Sequence, residues 1–331
     1  MVETKKLRTS SRNEEKEVDR IIKLQDELIH HIMSFMDTQR AVQTSVLSKR
    51  WIDIWKSLPC LRFRTCSFES EFKRVNKWID AVVRRNVQDV TIKLATYSFD
   101  DNDLTYEVPP KLLKCKSLKK LTLRKLGGQC VFIIVPKSIS LPQLNYMCLN
   151  GCLMSDVESS KRLFSSCPVL ETLNIVDCYI KTNNQRNFAL ESLSLKKFAY
   201  TNQTGFKQSI IKLSAPNLNN FSCESFWTKD YHLLNCSDQL SDVKFNILYY
   251  YTYENQQLEE KQVCGRRMVK LLAAVDKVKQ LELSSGFLEL QYLLREFSTV
   301  CEGSLECYRL GTLSTSLLIS SSIFETANVV Y

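Results

Sequence analysis

Leu170-Glu171-Thr172-Leu173-Asn174-Ile175-Val176-Asp177-Cys178-Tyr179-Ile180 is the stretch on which the fold turns. Its apolar residues follow L-x-x-L-x-L-x-x-C-x-L, and Leu144, Met147, Leu149, Cys152 and Met154 repeat the same pattern. The first half of the pattern recurs as Val87-Val90-Ile92, Leu118-Leu121-Leu123, Leu190-Leu193-Leu195, Leu218-Phe221-Cys223, Leu240-Val243-Phe245 and Val278-Leu281-Leu283. The middle positions lie 31, 26, 26, 20, 28, 22 and 38 residues apart, so the array is irregular and its last step holds an insertion. Alternation within each unit predicts a short strand that cannot bury two or three apolar side chains by itself. Stacking successive strands in parallel buries them in one continuous core.

This texture is the signature of leucine-rich repeats, which predicts an α/β solenoid with a curved parallel sheet over residues 87–300. Cys152 and Cys178 then need no chemistry, because that position takes a small residue able to sit inside the coil. Leu141-Pro142, Cys167-Pro168 and Ala215-Pro216 place a turn before three of the units. Met268, Leu271, Leu272 and Val275 follow helical spacing, which predicts a helix on the outer side of the enlarged repeat. Residues between the apolar positions point outward, onto the expected concave face. Those taken as candidates for holding a partner are Lys120, Thr122, Arg124, Tyr146, Asn150, Glu171, Asn174 and Lys196, with Glu191 and Ser192 beside them.

Upstream the period changes. Phe72, Val75, Ile79, Val82 and Val83, with Trp78 alongside, predict a linking or capping helix within residues 67–86. Residues 21–66 read as a small helical unit. Leu28, Ile32, Phe35 and Met36 recur at i, i+4, i+7 and i+8 with Ile29 adjacent, and Asp26 and Glu27 suit the first turn of that helix. A second helix is expected from Thr38 as N-cap to Pro59, carrying Ala41, Val42, Val46, Ile52 and Trp55. So short a unit buries too little surface to stand alone, and its aliphatic residues with Trp51 and Trp55 point to a docking face.

Leu24-Gln25-Asp26-Glu27-Leu28-Ile29-His30-His31-Ile32-Met33-Ser34-Phe35-Met36, followed by Ala41-Val42-Gln43-Thr44-Ser45-Val46-Leu47-Ser48-Lys49-Arg50-Trp51, resembles a plant-type F-box. The chain as a whole is similar to F-box proteins with leucine-rich repeats. That resemblance implies a substrate-recognition subunit of a Skp1-cullin-F-box (SCF) ubiquitin ligase. It implies docking on a Skp1-type adaptor, and through it a cullin, by Leu24, Leu28, Ile29, Ile32, Phe35, Val46, Leu47, Arg50, Trp51 and Trp55. The repeats would then hold a target protein for ubiquitination by other subunits. Gln25 and Asp37 depart from the family, which usually has Pro at these places. The alternative is a leucine-rich-repeat interaction module that no longer binds the adaptor. The family often continues into a further C-terminal domain, whereas residues 301–331 read as an irregular tail rich in Ser and Thr.

Composition narrows the remaining classes. In 331 residues 44% are hydrophobic and 24% charged, as in folded soluble proteins. Residues 1–20 are a charged leader without an apolar signal segment, so the 13 scattered cysteines read as thiols of an intracellular protein, nuclear or cytoplasmic. The apolar run from Val131 to Val135 falls far short of the roughly 18 residues of a membrane span. Only His30, His31 and His232 are present, and no nucleophile elbow, phosphate loop or H-E-x-x-H motif occurs, so no catalysis and no cofactor are expected. Cys148 and Cys152 lack a complementary pair for zinc. The net charge of +9 includes Lys119-Lys120, Arg124-Lys125 and Arg266-Arg267, yet Glu171, Glu191 and Asp242 interrupt any stripe, which disfavours nucleic acid.

Overall fold

The computed structural model describes residues 24–66, 69–95, 104–126, 131–136, 139–154, 157–180, 188–203, 211–226, 231–234, 240–248, 275 and 278–284. The chain divides into two compact units, Met1–Leu58 and Pro59–Tyr331. The expected leader, the expected C-terminal tail and all but Val275 of the expected helix near residue 270 lie outside the described residues.

The first unit holds α1 (Asp26–Ser34), α2 (Thr38–Gln43), a 3₁₀ turn (Thr44–Val46) and α3 (Lys49–Lys56). The backbone of Gln25 sits at φ −69°, within the range a proline ring imposes, so α1 starts as it would with Pro there. Thr38 is not the cap expected from the sequence. Asp37 precedes it with extended backbone and accepts the Arg40 N–H at 2.9 Å, while Thr38 is buried as the first helical residue. Ile29 and Met33 of α1, Ala41 of α2 and Trp51, Ile54 and Trp55 of α3 are buried. His30 Nε2 is 3.0 Å from the Ser57 hydroxyl, and Arg50 Nε donates to Asp26 Oδ1 at 2.6 Å, tying α3 to the first turn of α1.

The second unit is a coil. Its front sheet runs β1 (Cys60–Cys66), β2 (Asp89–Ala95), β4 (Lys120–Leu126), β6 (Tyr146–Asn150), β8 (Thr172–Val176), β11 (Lys197–Asn202), β13 (Asn220–Phe226), β15 (Asp242–Leu248) and β16 (Gln280–Leu283). All eight pairings are parallel. Strands also form the back of the coil: β3 (Leu104–Glu107), β5 (Val131–Ile134), β7 (Cys152–Met154) and β9 (Tyr179–Ile180) in one sheet, β10 (Phe188–Glu191), β12 (Ile211–Ser214) and β14 (Tyr231–Leu234) in another. Among the described residues two α-helices interrupt the strands, α4 (Glu69–Val83) between β1 and β2 and α5 (Val157–Ser165) between β7 and β8.

Register explains the repeat. Leu61, Val90, Leu121, Met147, Leu173, Phe198, Phe221, Val243 and Leu281 align in one inward row. Phe63, Ile92, Leu123, Leu149, Ile175, Tyr200, Cys223, Phe245 and Leu283 align in a second. Both rows are buried as far as β15 and half-exposed on β16. Phe198 stacks on Phe221, and Phe221 meets Phe245 edge to face at 5.8 Å. Before each of four front strands the same turn closes, with Leu118, Leu144, Leu170 and Leu218 N–H donating to the carbonyls of Cys115, Leu141, Cys167 and Ala215. Pro142, Pro168 and Pro216 occupy the second position of that turn, where the fixed φ of proline is suited. After two front strands the chain bends sharply at Gly151, φ +66°, and at the equivalent Asp177, φ +46°. A side chain at Gly151 would stand 2.7 Å from Lys125 Cβ, so glycine is required there. The next residues, Cys152 and Cys178, turn inward as structural thiols, and Cys178 Sγ donates to the Leu149 carbonyl at 3.3 Å.

Besides the cap of α2, and the break of the expected Thr38–Pro59 helix into α2, the 3₁₀ turn and α3, three placements in the second unit differ from those expected. Leu193 is 77% exposed and is not a strand residue. The front strand there is carried by Leu195-x-x-Phe198-x-Tyr200, an equally good match in which aromatics replace leucines, and Leu190 belongs to β10 at the back. The spacings of 20 and 28 residues thereby become 25 and 23, and the array is more even. The sheet also starts before residue 87, at β1, whose residues the sequence reading grouped with the helical unit. The helix expected as a linker is α4, which buries Phe72, Val75, Ile79 and Val82 and stacks Trp78 on Phe63 within the first turn of the coil.

Candidate docking surfaces

On α1, Ile29 and Met33 take the buried stripe, which leaves Leu28 and Ile32, with Phe35 just after the helix, on the adjoining one. Phe35 is 74% exposed with His31 edge-on against it, and Val46, at the end of the 3₁₀ turn, is 89% exposed with Leu47 after it. Five of the seven large apolar side chains exposed among the described residues therefore belong to this one small unit. Single exposed leucines are ordinary, whereas a set concentrated on so few residues is uncommon on a lone domain. Leu28, Ile32, Phe35, Val46 and Leu47 are thus exposed, and Leu24 is half-buried. Ile29, Trp51 and Trp55 do not: they are the core of the unit and support the face from within. Arg50 is exposed but already paired with Asp26. Spacing alone could not separate these groups, because both stripes of α1 are apolar.

The second surface is the outward face of the front sheet. Lys120, Thr122 and Arg124 lie on β4, Tyr146 and Asn150 on β6 and Asn174 on β8, all at outward positions. Asn174 Nδ2 donates to Tyr146 Oη at 3.2 Å. Glu171 and Lys196 precede β8 and β11 and pair with each other at 2.7 Å. Glu191 and Ser192 are absent from this face, since Glu191 ends β10 and Ser192 follows it. The corrected register brings in residues the sequence reading missed. In one outward row Arg62, Thr91, Thr122, Cys148, Asn174, Ala199, Ser222, Lys244 and Glu282 follow one another from β1 to β16. Ala199 and Ser222 are the smallest of them, and they floor a shallow depression of about 320 Å³ bordered by Asn174, Lys197, Asp242 and Lys244.

Burial shifts several groups on this face. It raises the Asp89 carboxyl above its ordinary value even though Lys120 and Arg62 oppose the shift, and it raises the Tyr146 hydroxyl and the Cys148 thiol. Among the described residues no group of three or more His, Cys, Asp or Glu side chains converges as metal ligands would.

Residues 21–63 match the F-box domain, and residues 75–300 match the family described as "FBD-associated F-box protein At5g56370, LRR repeats". Among curated proteins of Arabidopsis thaliana, the F-box/LRR-repeat protein At1g55660 is 27% identical over 310 residues, covering 81% of this chain and 81% of its own length. The F-box protein At4g09920 is 33% identical over 193 residues, 48% of this chain and 58% of that protein. The F-box/FBD/LRR-repeat protein At1g78750 is 25% identical over 330 residues, 84% of this chain and 68% of its own length. The match at 75–300 takes in most of the coil and more than half of the sequence, so the chain belongs to the family of FBD-associated F-box proteins with leucine-rich repeats.

Proposed function

We propose that the chain is a substrate-recognition subunit of an SCF ubiquitin ligase. The observation that carries this reading is the second apolar stripe of the helical unit, Leu28, Ile32 and Phe35 with Val46 and Leu47, which is left over after Ile29, Met33, Trp51 and Trp55 have completed the core. A Skp1-type adaptor covers that stripe and connects the chain to a cullin, while the outward face of the front sheet holds the target. Membership of an F-box family supports the adaptor, and a broad polar sheet face suits protein recognition. The chain acts by proximity. Holding a target beside a charged conjugating enzyme raises the effective concentration of its lysines, and no group of this chain need touch the reacting bond. The setting is intracellular, in nucleus or cytoplasm, where the ubiquitin machinery works; among the described residues no helix is long and apolar enough to cross a membrane.

Co-purification with a plant Skp1-type adaptor tests this. Wild type is expected to retain the adaptor stoichiometrically, and the double variant Leu28→Asp, Ile32→Asp is expected to lose it while keeping its circular dichroism spectrum. Folded wild type that retains no adaptor would favour the other reading, a repeat protein with an idle F-box.

A further inference from the structure

Charge is unevenly distributed along the front sheet. On β1, β2 and β4 the outward positions align as Cys60, Asp89 and Lys120, then Arg62, Thr91 and Thr122, then Arg64, Lys93 and Arg124. Five of these nine are cations and one is a carboxylate, a net of +4. At the far end, on β13, β15 and β16, the equivalent positions include Lys244 alone against Glu224, Asp242 and Glu282.

The two ends also differ in how their charges are satisfied. Lys244 is paired with Glu282 across the sheet, Gln203 Nε2 donates to Glu224 at 2.7 Å, and Lys196 is paired with Glu171. Arg64, Lys93 and Arg124 form one row in register, about 4.8 Å apart at the backbone. Like charges set directly opposite one another on adjacent strands destabilise a sheet. None of the three makes an ion pair among the described residues. Asp89, the lone acid of the patch, is half-buried in register beside Lys120, two rows of the sheet away from Arg64, Lys93 and Arg124.

We infer that Arg64, Lys93 and Arg124, with Arg62 and Lys120, form a binding site for an extended Asp/Glu-rich segment of a protein. The inference deepens the target-capture reading of the front face and rests on it. Size favours a peptide over nucleic acid. The cationic row spans three strands, about 10 Å, and then continues through Asn150, Val176 and Thr201 to the acidic Glu224. A phosphate backbone needs a longer basic stripe. An extended peptide presents alternate side chains about 6.7 Å apart, so two or three carboxylates cover the row. Such a site steers acidic partners to the surface and rejects basic ones.

Fluorescence anisotropy on the full chain tests this, with a labelled peptide alternating Glu and Ser at low ionic strength. Lys93→Glu with Arg124→Glu is expected to weaken binding about tenfold or more, as close charge pairs at interfaces do. Lys197→Glu with Lys244→Glu, the same change in net charge on β11 and β15, is expected to weaken it less than about twofold. Both variants should keep their circular dichroism spectrum and the adaptor binding of wild type. Equal weakening by the two variants, or no binding by wild type, overturns the inference. So does binding only by a phosphoserine version of the peptide, or tighter binding of an oligonucleotide of equal charge that Lys93→Glu with Arg124→Glu abolishes. Loss of adaptor binding in wild type with peptide binding intact counts against the ligase reading and leaves the site standing.

Discussion

The helical unit and the coil draw on the same aliphatic and aromatic residues but place them differently. In the coil each front strand from β2 to β15 has a neighbour on both sides, so Leu121, Leu123, Leu173 and Phe221 are covered by the next turn of the chain. In the helical unit α1 has one side covered, by a core that includes Trp51 and Trp55, and its other side holds Leu28, Ile32 and Phe35 in the open. The difference is one of completion. A solenoid supplies its own partner surface with every repeat, whereas three short helices run out of chain before their apolar surface is covered. The helices therefore leave a cluster of exposed apolar side chains, whereas the coil exposes only Val169 and Leu193 among its described large apolar residues.

Substitutions on the two sides of this contrast should behave in opposite ways. Phe221→Ala, at the centre of the stack with Phe198 and Phe245, should cost about 3–5 kcal/mol in urea unfolding. Leu28→Asp with Ile32→Asp, despite adding two charges, should cost less than about 1 kcal/mol while abolishing adaptor binding. A cost comparable to that of Phe221→Ala would mean that these leucine and isoleucine side chains are core after all. The register of β11 can be tested within one peptide stretch. Leu195→Ala should cost about 2–5 kcal/mol and Leu193→Ala no more than about 0.5 kcal/mol. Within the helical unit, Asp37→Ala removes the cap on Arg40 N–H and should cost about 1 kcal/mol.

A further effect appears only at alkaline pH. Burial pushes the Cys167 thiol up to about 12 from an ordinary 9.0. The folded chain keeps that proton where an unfolded chain has lost it, so this thiol leaves stability untouched below about pH 9 and lowers it as the pH rises from there toward 12. Cys167→Ala should therefore lose less stability between neutral and alkaline pH than wild type. An identical loss would show that Cys167 contributes nothing to the alkaline limb.

Much of this architecture is legible in the sequence because periodicity reports burial. Inward rows of Leu, Val, Ile and Phe announce the front sheet, and the X-Pro pairs announce its turns. Legibility fails where two solutions satisfy the same pattern. Leu190-Leu193-Leu195 and Leu195-Phe198-Tyr200 both fit L-x-x-L-x-L, and only pairing with β8 and β13 selects the second. Of the short back strands, β7 and β9 fall in the C-x-L half of the repeat and β5 in the Val131–Val135 apolar run, whereas β12 carries no such pattern to set it apart from loop. The cap of α2 falls to Asp37 rather than Thr38 because the carboxylate reaches the Arg40 N–H, a choice between adjacent acceptable residues. For the exposed apolar residues of the first unit, the sequence shows which helix and which residue types are available. Which stripe faces the core depends on tertiary packing, and Trp51 and Trp55 side with the core.

Amide hydrogen exchange of the full chain with and without a Skp1-type adaptor tests the central claim most directly. Added protection is expected on peptides spanning α1 and the segment Val46-Leu47, with no change on β2, β4, β6 or β8 of the front sheet. Protection confined to the front sheet, or none on α1 under conditions where the adaptor is bound, would contradict it.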